Sequence, residues 1–401
     1  MSEMTAMTAM TAMTAMTAMT AMTGRGGSSL AGLTGLYGDG LVTDALLTSR
    51  ARNTPENAAL PPREGAFADG QLPPATPANL AWWQPEVRGH ICSLELARGL
   101  VFDNITTPGT VVVYTSGKDL DESALSEAQK AALATVRALG QGVGKQERLV
   151  TLKRPDRPSV DAQLAKVLAH AESELRRGRA NEIVAQILPQ VPFWSSIVPL
   201  SPWRTPWTYE LLGVALKFGN EVCHRFKHDL AVPRPSELSP FVQPILQTPG
   251  WAALPSGHAT EAFLFAGLIG RLMDLDPRGD TWQALQRQAA SIADNRVWAG
   301  LHYPMDGVAG RLLGHTLAEY VVDRCAGGGW QPRTFNGAHA DVAQSDLDWS
   351  LTAGSGAGCT ESAAVAGPAA SPLLAYMWAR ARVEFQQLGY VTSAPAPASP
   401  A

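Results

Sequence analysis

Residues 208–324 read as four long helices with short breaks between them, and this block limits what the chain can fold into. Leu211, Leu212, Val214, Ala215, Val222 and Phe226 recur close to the period of one helical face, which predicts a helix over 208–230. Ser256 can cap a second helix over 257–275, which Pro277 and Gly279 end. A third is expected over 281–298. Gly300 breaks the chain, and Pro304 opens a fourth over 304–324. The most apolar run, 262–273, is interrupted by Arg271 and falls short of the roughly 18–20 apolar residues of a membrane span. A soluble helical protein with no membrane span is therefore expected.

The rest of the chain supports this frame. Ser123 can cap a helix over 123–139, Ser159 another over 160–177, and the helical pattern resumes over 180–188. An amphipathic helix over 373–388 follows Ser371-Pro372. One or two short strands are expected near 81–120, where the β-prone run 111–115 lies between Gly109 and Gly117. Residues 1–23 are mostly a repeated Met-Thr-Ala triplet, whose period of three matches neither a helical nor a strand face. With no basic n-region and no solid apolar core, this stretch is a poor secretory signal. The reading is a low-complexity disordered tail, and localisation stays open between cytoplasm and export without a recognisable signal peptide.

Of the 401 residues, 45% are hydrophobic and 17% charged, and the net charge is −4. That balance gives no reason to expect a nucleic-acid or anionic-membrane surface. A cationic cluster inside such a chain is local, and so informative. Cys92, Cys223, Cys325 and Cys359 form no CxxC pair, so buried free thiols are expected and a zinc site is not.

The cationic cluster lies within 227–306. Lys227 falls near the end of the first long helix, and Arg234-Pro235 follows in a Pro-rich loop. Each alone reads equally as a dipole partner or a surface charge. Ser256-Gly257-His258 opens the second helix. Ser is a good N-cap, yet a Ser-Gly pair at a helix start also offers free N–H groups and a hydroxyl to an anion. His258 on that first turn can pass a proton beside the anion. Arg296 closes the third helix, His302 sits in the following turn, and Asp306 lies four residues on. A carboxylate beside an imidazole fixes its tautomer and raises its basicity.

Taken together, Lys-x6-Arg-Pro, Pro-Ser-Gly-His and Arg-x5-His-x3-Asp resemble the signature of the superfamily of type 2 phosphatidic acid phosphatases, bacterial class A acid phosphatases and vanadium-dependent haloperoxidases. Asn295, before the arginine, departs from the serine often found there. The resemblance implies an all-α fold, a helical bundle of the haloperoxidase/acid phosphatase type with at most short peripheral strands. It implies that Lys227, Arg234 and Arg296 neutralise the oxygens of vanadate or phosphate, with Ser256 and the Gly257 N–H adding hydrogen bonds. His302 would ligate vanadium or attack phosphorus, His258 would be the acid/base, and Asp306 would orient His302. The organisation expected is a disordered tail over 1–23, an irregular arm over 24–120, a helical catalytic domain over 121–325, a loop plus C-terminal helix over 326–390, and a disordered tail over 391–401.

Two chemistries fit such a pocket. The form Pro255-Ser256-Gly257-His258-Ala259-Thr260, and Trp251 four residues before Pro255, lean toward a haloperoxidase that uses vanadate, hydrogen peroxide and halide. Trp251 is read as part of the substrate pocket, where an apolar wall would exclude water. The alternative is a phosphatase that needs no cofactor and hydrolyses a phosphate ester through a phosphohistidine at His302. Homo-oligomerisation is left open.

Overall fold

The computed structural model describes residues 76–115, 147–339 and 358–391, apart from 105, 106, 108, 188, 189, 368 and 369, together with position 48. The Met-Thr-Ala repeat, most of the arm, the expected helix over 123–139 and the tail from 392 lie outside the described residues. The longer helices are α1 (Pro85–Ala97), α2 (Arg157–Glu172), α3 (Leu175–Ala185), α4 (Pro206–Leu230), α5 (Gly257–Leu272), α6 (Asp280–Trp298), α7 (Pro304–Ala326) and α8 (Pro372–Gln387). Five strands accompany them: β1 (Leu100–Asp103), β2 (Thr110–Thr115), β3 (Glu147–Lys153), β4 (Arg333–Asn336) and β5 (Cys359–Glu361). The fold is thus mostly helical with a few short peripheral strands. Among the described residues no helix is long and apolar enough to cross a membrane.

Helix α5 is the centre of the bundle. From Ala259 to Gly270 every residue except Glu261 is buried, as expected of a helix apolar on all sides. Helices α4, α6, α7 and α8 pack around it. The closest approach is to α7, and it needs two residues without side chains. A Cβ on Gly310 would meet the Ser256 carbonyl and the Ala259 Cβ, each at 2.7 Å. One on Gly314 would meet the Thr260 carbonyl at 2.5 Å. The backbones therefore approach closely enough for the Ser256 N–H to donate to the Asp306 carbonyl at 2.9 Å. The start of α5 is locked to the start of α7.

Helix α4 is held at both ends. Its first N–H groups lack intrahelical acceptors, and a carboxylate from α8 satisfies them. Glu384 accepts from Trp207 N at 2.7 Å, Thr208 N at 2.9 Å and Thr208 Oγ1 at 2.8 Å. At the other end Ala231 turns left-handed, with φ 46°, and its N–H donates to the Lys227 carbonyl. This stops the helix where Lys227 still faces inward.

The strands form one sheet in the order β1-β2-β3-β4-β5, antiparallel except for the β3/β4 pair. It lies against α4 and α7. The described sheet is larger than the one or two strands expected. Leu149–Leu152 in β3 is buried on both faces, so it does not alternate and cannot be told from a helical fragment. β4 and β5 are too short to stand out in a Gly/Ala/Ser-rich stretch. Buried Arg333 holds that region, pairing with Glu319 at 2.7 Å and Glu361 at 2.8 Å.

Helix boundaries also shift. α2 starts at Arg157 because Asp156, not Ser159, caps it, accepting from Ser159 N at 2.9 Å. α3 covers Leu175–Ala185, earlier than the 180–188 expected. α1 lies in the stretch read as an irregular arm. Its inward face carries Arg88 and Glu95, and Arg88 pairs with Glu210 of α4 at 2.5 Å, so the apolar period is obscured. All four cysteines are free and buried.

Two stability measurements test this account. Gly314→Val should overpack the α5–α7 contact and lower unfolding free energy by about 1–3 kcal/mol. Glu384→Ala should leave the α4 donors unpaired and cost about 1–3 kcal/mol. Both are read from urea midpoints, and an unchanged midpoint for either variant contradicts the corresponding contact.

Candidate active site

Each predicted site residue is delivered by a terminus or a loop of the bundle, and most converge near the start of α5. Lys227, 2% exposed, occupies the last turn of α4. Its Nζ donates to the Ala252 and Ala253 carbonyls at 3.0 and 2.8 Å. Burial lowers its pKa to about 8. Arg234 follows the end of α4 and is also 2% exposed. Its guanidinium donates to the Trp251 carbonyl, the Leu301 carbonyl and His302 Nε2 at 2.8, 2.8 and 2.9 Å. One side chain thus ties three loops together.

The turn between α6 and α7 places the imidazole. Gly300 adopts φ +79°, a conformation that favours glycine. The Leu301 N–H closes the turn on the Arg296 carbonyl at 3.1 Å. From the α3 side, Arg176 donates to the Trp298 carbonyl at 2.9 Å and the Gln243 carbonyl at 2.8 Å, which steadies the same corner. His302 then meets Asp306, with Nδ1 3.0 Å from Asp306 Oδ2. Asp306 Oδ2 also accepts from the Tyr303 N–H at 3.0 Å. This network assigns the proton to Nδ1 and leaves the Nε2 lone pair facing Arg234. Burial holds His302 well below the usual imidazole range, with the Arg234 and Lys227 charges acting in the same direction. Burial raises Asp306 to about 6, opposed by the Tyr303 N–H and the same two cations.

Arg296 is 1% exposed. One nitrogen, Nη2, donates to the Ile183 carbonyl and to Gln186 Oε1 at 2.9 and 3.0 Å. Nε and Nη1 are buried with no hydrogen-bond partner. Burial lowers its pKa to about 10. Such orphaned, charged donors are costly, since a buried ion without a partner forfeits several kcal/mol of solvation. An anion bound there would offset that cost.

Ser256, fully buried, caps α5 through Oγ, which accepts from Ala259 N at 3.4 Å. Gly257 is the first residue of the helix. His258 is next, and burial lowers its pKa to about 3, reinforced by the Arg296 charge. It is therefore a neutral base at physiological pH. Trp251 stands at the rim. Its indole is 38% exposed and meets His224 edge-on at 5.2 Å, while its carbonyl receives Arg234.

Several residues near the cluster escaped the sequence reading. Gln186, fully buried beyond the end of α3, holds Arg296 and also Asn295 Nδ2, at 3.1 Å. Its own amide donates to Glu182 at 2.8 Å. Glu261 lies one turn into α5, hydrogen-bonded to Asn220. A signal for Glu261 was present: it is the only charge between His258 and Arg271. Gln186 carried none, because a neutral amide at a helix end is unremarkable until its neighbours are known.

The cluster is therefore three buried cations around a helix N-terminus, beside an imidazole backed by a carboxylate. Among the described residues no group of three or more His, Cys, Asp or Glu converges as divalent-metal ligands would. The donors that do converge suit a tetrahedral oxyanion. Residues 209–323 match the model of the PAP2 superfamily. No curated protein matches significantly. Solved structures that match include a bacterial vanadium-dependent iodoperoxidase, at 22% identity over 30% of this chain and 33% of that one, with a TM-score of 0.27. The match spans about a third of that protein, and a likeness of this degree carries no argument about fold or chemistry. The residues matched by the PAP2 superfamily model, 209–323, include the helical core that carries the cluster.

Proposed function

We propose that the chain is a vanadium-dependent haloperoxidase-like enzyme, oxidising halide with hydrogen peroxide at the cluster near the start of α5. The observation that carries the oxyanion part of this reading is Arg296, with two buried guanidinium nitrogens unpartnered and a charge that acts on His258 and His302 together with those of Lys227 and Arg234. Lys227, Arg234, Arg296, Ser256 and the Gly257 N–H would hold vanadate, and His302 Nε2 would be its protein ligand. Bound there, vanadate would supply a Lewis acid that activates peroxide without changing oxidation state.

The chain's own residues supply the rest. Asp306 fixes the His302 tautomer so that Nε2 carries the lone pair. Arg234 Nη1 holds that lone pair in the free protein and must shift toward the anion when His302 is engaged. His258, neutral and on the first turn of α5, would accept a proton from peroxide. Lys227, whose ammonium now rests on two loop carbonyls, would turn its charge toward the bound oxygen atoms.

A phosphatase is the second reading, and Trp251 favours it. Its partial exposure would leave the site open to water, which hydrolysis needs, where halide oxidation is better served by a dry wall. In that case His302 Nε2 would attack phosphorus, and His258 would take a proton from the hydrolytic water.

A bromination assay separates the two readings. With orthovanadate, peroxide and bromide, the protein should brominate monochlorodimedone, and elemental analysis should find bound vanadium. No vanadate-dependent turnover overturns the haloperoxidase reading. Cofactor-free hydrolysis of p-nitrophenyl phosphate, inhibited by vanadate, establishes the other. His302→Ala should abolish whichever activity is present. The pH profile is a further check. Asp306 must be ionised to hold His302, and its raised pKa means that charge is lost below about 6. Lys227 must be protonated, and its lowered pKa means that charge is lost above about 8. The kcat/KM profile should therefore be bell-shaped with limbs near those values, and a flat profile from pH 5 to 9 contradicts these roles.

A further inference from the structure

Glu261 is a carboxylate placed where an anion site should have none. Its Oε1 lies 3.9 Å from the position that a Cβ on Gly257 would take, so the carboxylate stands beside the N-terminus of α5. Asn220 of α4 holds it by a side-chain hydrogen bond, and Lys227 of α4 and Arg296 of α6 face it with positive charge. The Cys223 thiol of α4 also lies within its field. On its own helix, His258 is one turn before it. Glu261 is the charged exception in this stretch, because α5 is otherwise apolar from Ala259 to Gly270 apart from the Thr260 hydroxyl, which bonds the Ser256 carbonyl at 2.9 Å.

We propose that Glu261 is a specificity-determining residue of the oxyanion site, setting how much negative charge the site accepts. The inference rests on the oxyanion reading of the cluster and goes beyond it. Burial raises Glu261 to about 7, opposed by the Asn220 hydrogen bond and the Lys227 and Arg296 charges, so it is mostly ionised at pH 7.5. With Lys227, Arg234 and Arg296 as three cations and Asp306 and Glu261 as two carboxylates, the fully ionised set carries one net positive charge. Glu261→Gln raises that to two. With Glu261 in place, an anion meets both attraction from the cations and repulsion from a neighbouring carboxylate. Binding is kept loose, and anions of lower charge are favoured over dianions. The device suits a site that must exchange its anion or release an anionic product.

Affinity for simple anions tests this without any catalytic readout. Inorganic phosphate, and sulfate as a dianion of fixed charge, are titrated calorimetrically into the full chain at pH 7.5. The dissociation constant for both should fall about tenfold in Glu261→Gln, as removal of one nearby like charge implies. Glu261→Asp, which keeps the charge, should stay within about threefold of wild type. Glu261→Met, a second uncharged variant, should tighten binding in the same direction and serves if the Gln variant does not fold. Equal or weaker binding in the uncharged variants overturns the role of Glu261. Arg296→Gln should weaken both anions in every background. Wild-type binding that Arg296→Gln weakens, with Glu261→Gln unchanged, leaves the oxyanion site standing and removes only Glu261. A wild type that binds neither anion overturns both.

Discussion

The contact between α5 and α7 is the constraint on which the site depends. Two helices at ordinary spacing, about 8–10 Å between axes, keep a layer of side chains between them. Gly310 and Gly314 remove that layer, and the backbones meet at Ser256 and Asp306. That single approach brings the N-terminal donors of α5 beside the α7 carboxylate that holds His302. The proposed site depends on two helix beginnings pinned side by side, and the apolar burial of α5 supplies the driving force that holds them there.

The cations are organised by a different rule. Lys227, Arg234 and part of Arg296 rest on backbone carbonyls of loops or helix ends, not on carboxylates. Carbonyls orient a guanidinium or ammonium without neutralising it. A carboxylate partner would have offset that charge, as Glu319 and Glu361 do for Arg333. Using carbonyls keeps the positive potential available, and it adds to burial, the larger cause, in holding His258 and His302 below the usual range. Burial and neighbouring charge thus make two neutral bases out of histidines that would otherwise be partly protonated at neutral pH.

Much of this was legible in the sequence, for definable reasons. Long amphipathic or wholly apolar segments with Pro and Gly at their ends give α4 to α7 nearly at their true limits, because period and punctuation agree there. Spacing among Lys227, Arg234, Ser256, Arg296, His302 and Asp306 singles out the cluster, because loop lengths and helix ends translate directly into position. What was hidden has a common cause. Helix α1 buries Arg88 and Glu95, β3 buries both faces, and Gln186 does its work as a neutral amide. In each case the residue type is set by partners distant in the chain, and no local pattern records them.

The division between cradle and rim bears on the choice of reaction. The cradle answers to charge and geometry that the two proposed chemistries would share, since each would need cations around an oxyanion and a neutral imidazole beside it. The rim is where the two part company. Trp251 links these parts, because its carbonyl fixes Arg234 in the cradle while its indole stays at the surface beside His224. A change in that side chain can alter water access without moving the cation its backbone holds. Glu261, held by Asn220 of α4, would adjust the charge of the site from within α5. Selectivity can therefore be tuned at these two positions while Gly310, Gly314 and the carbonyl-held cations stay as they are.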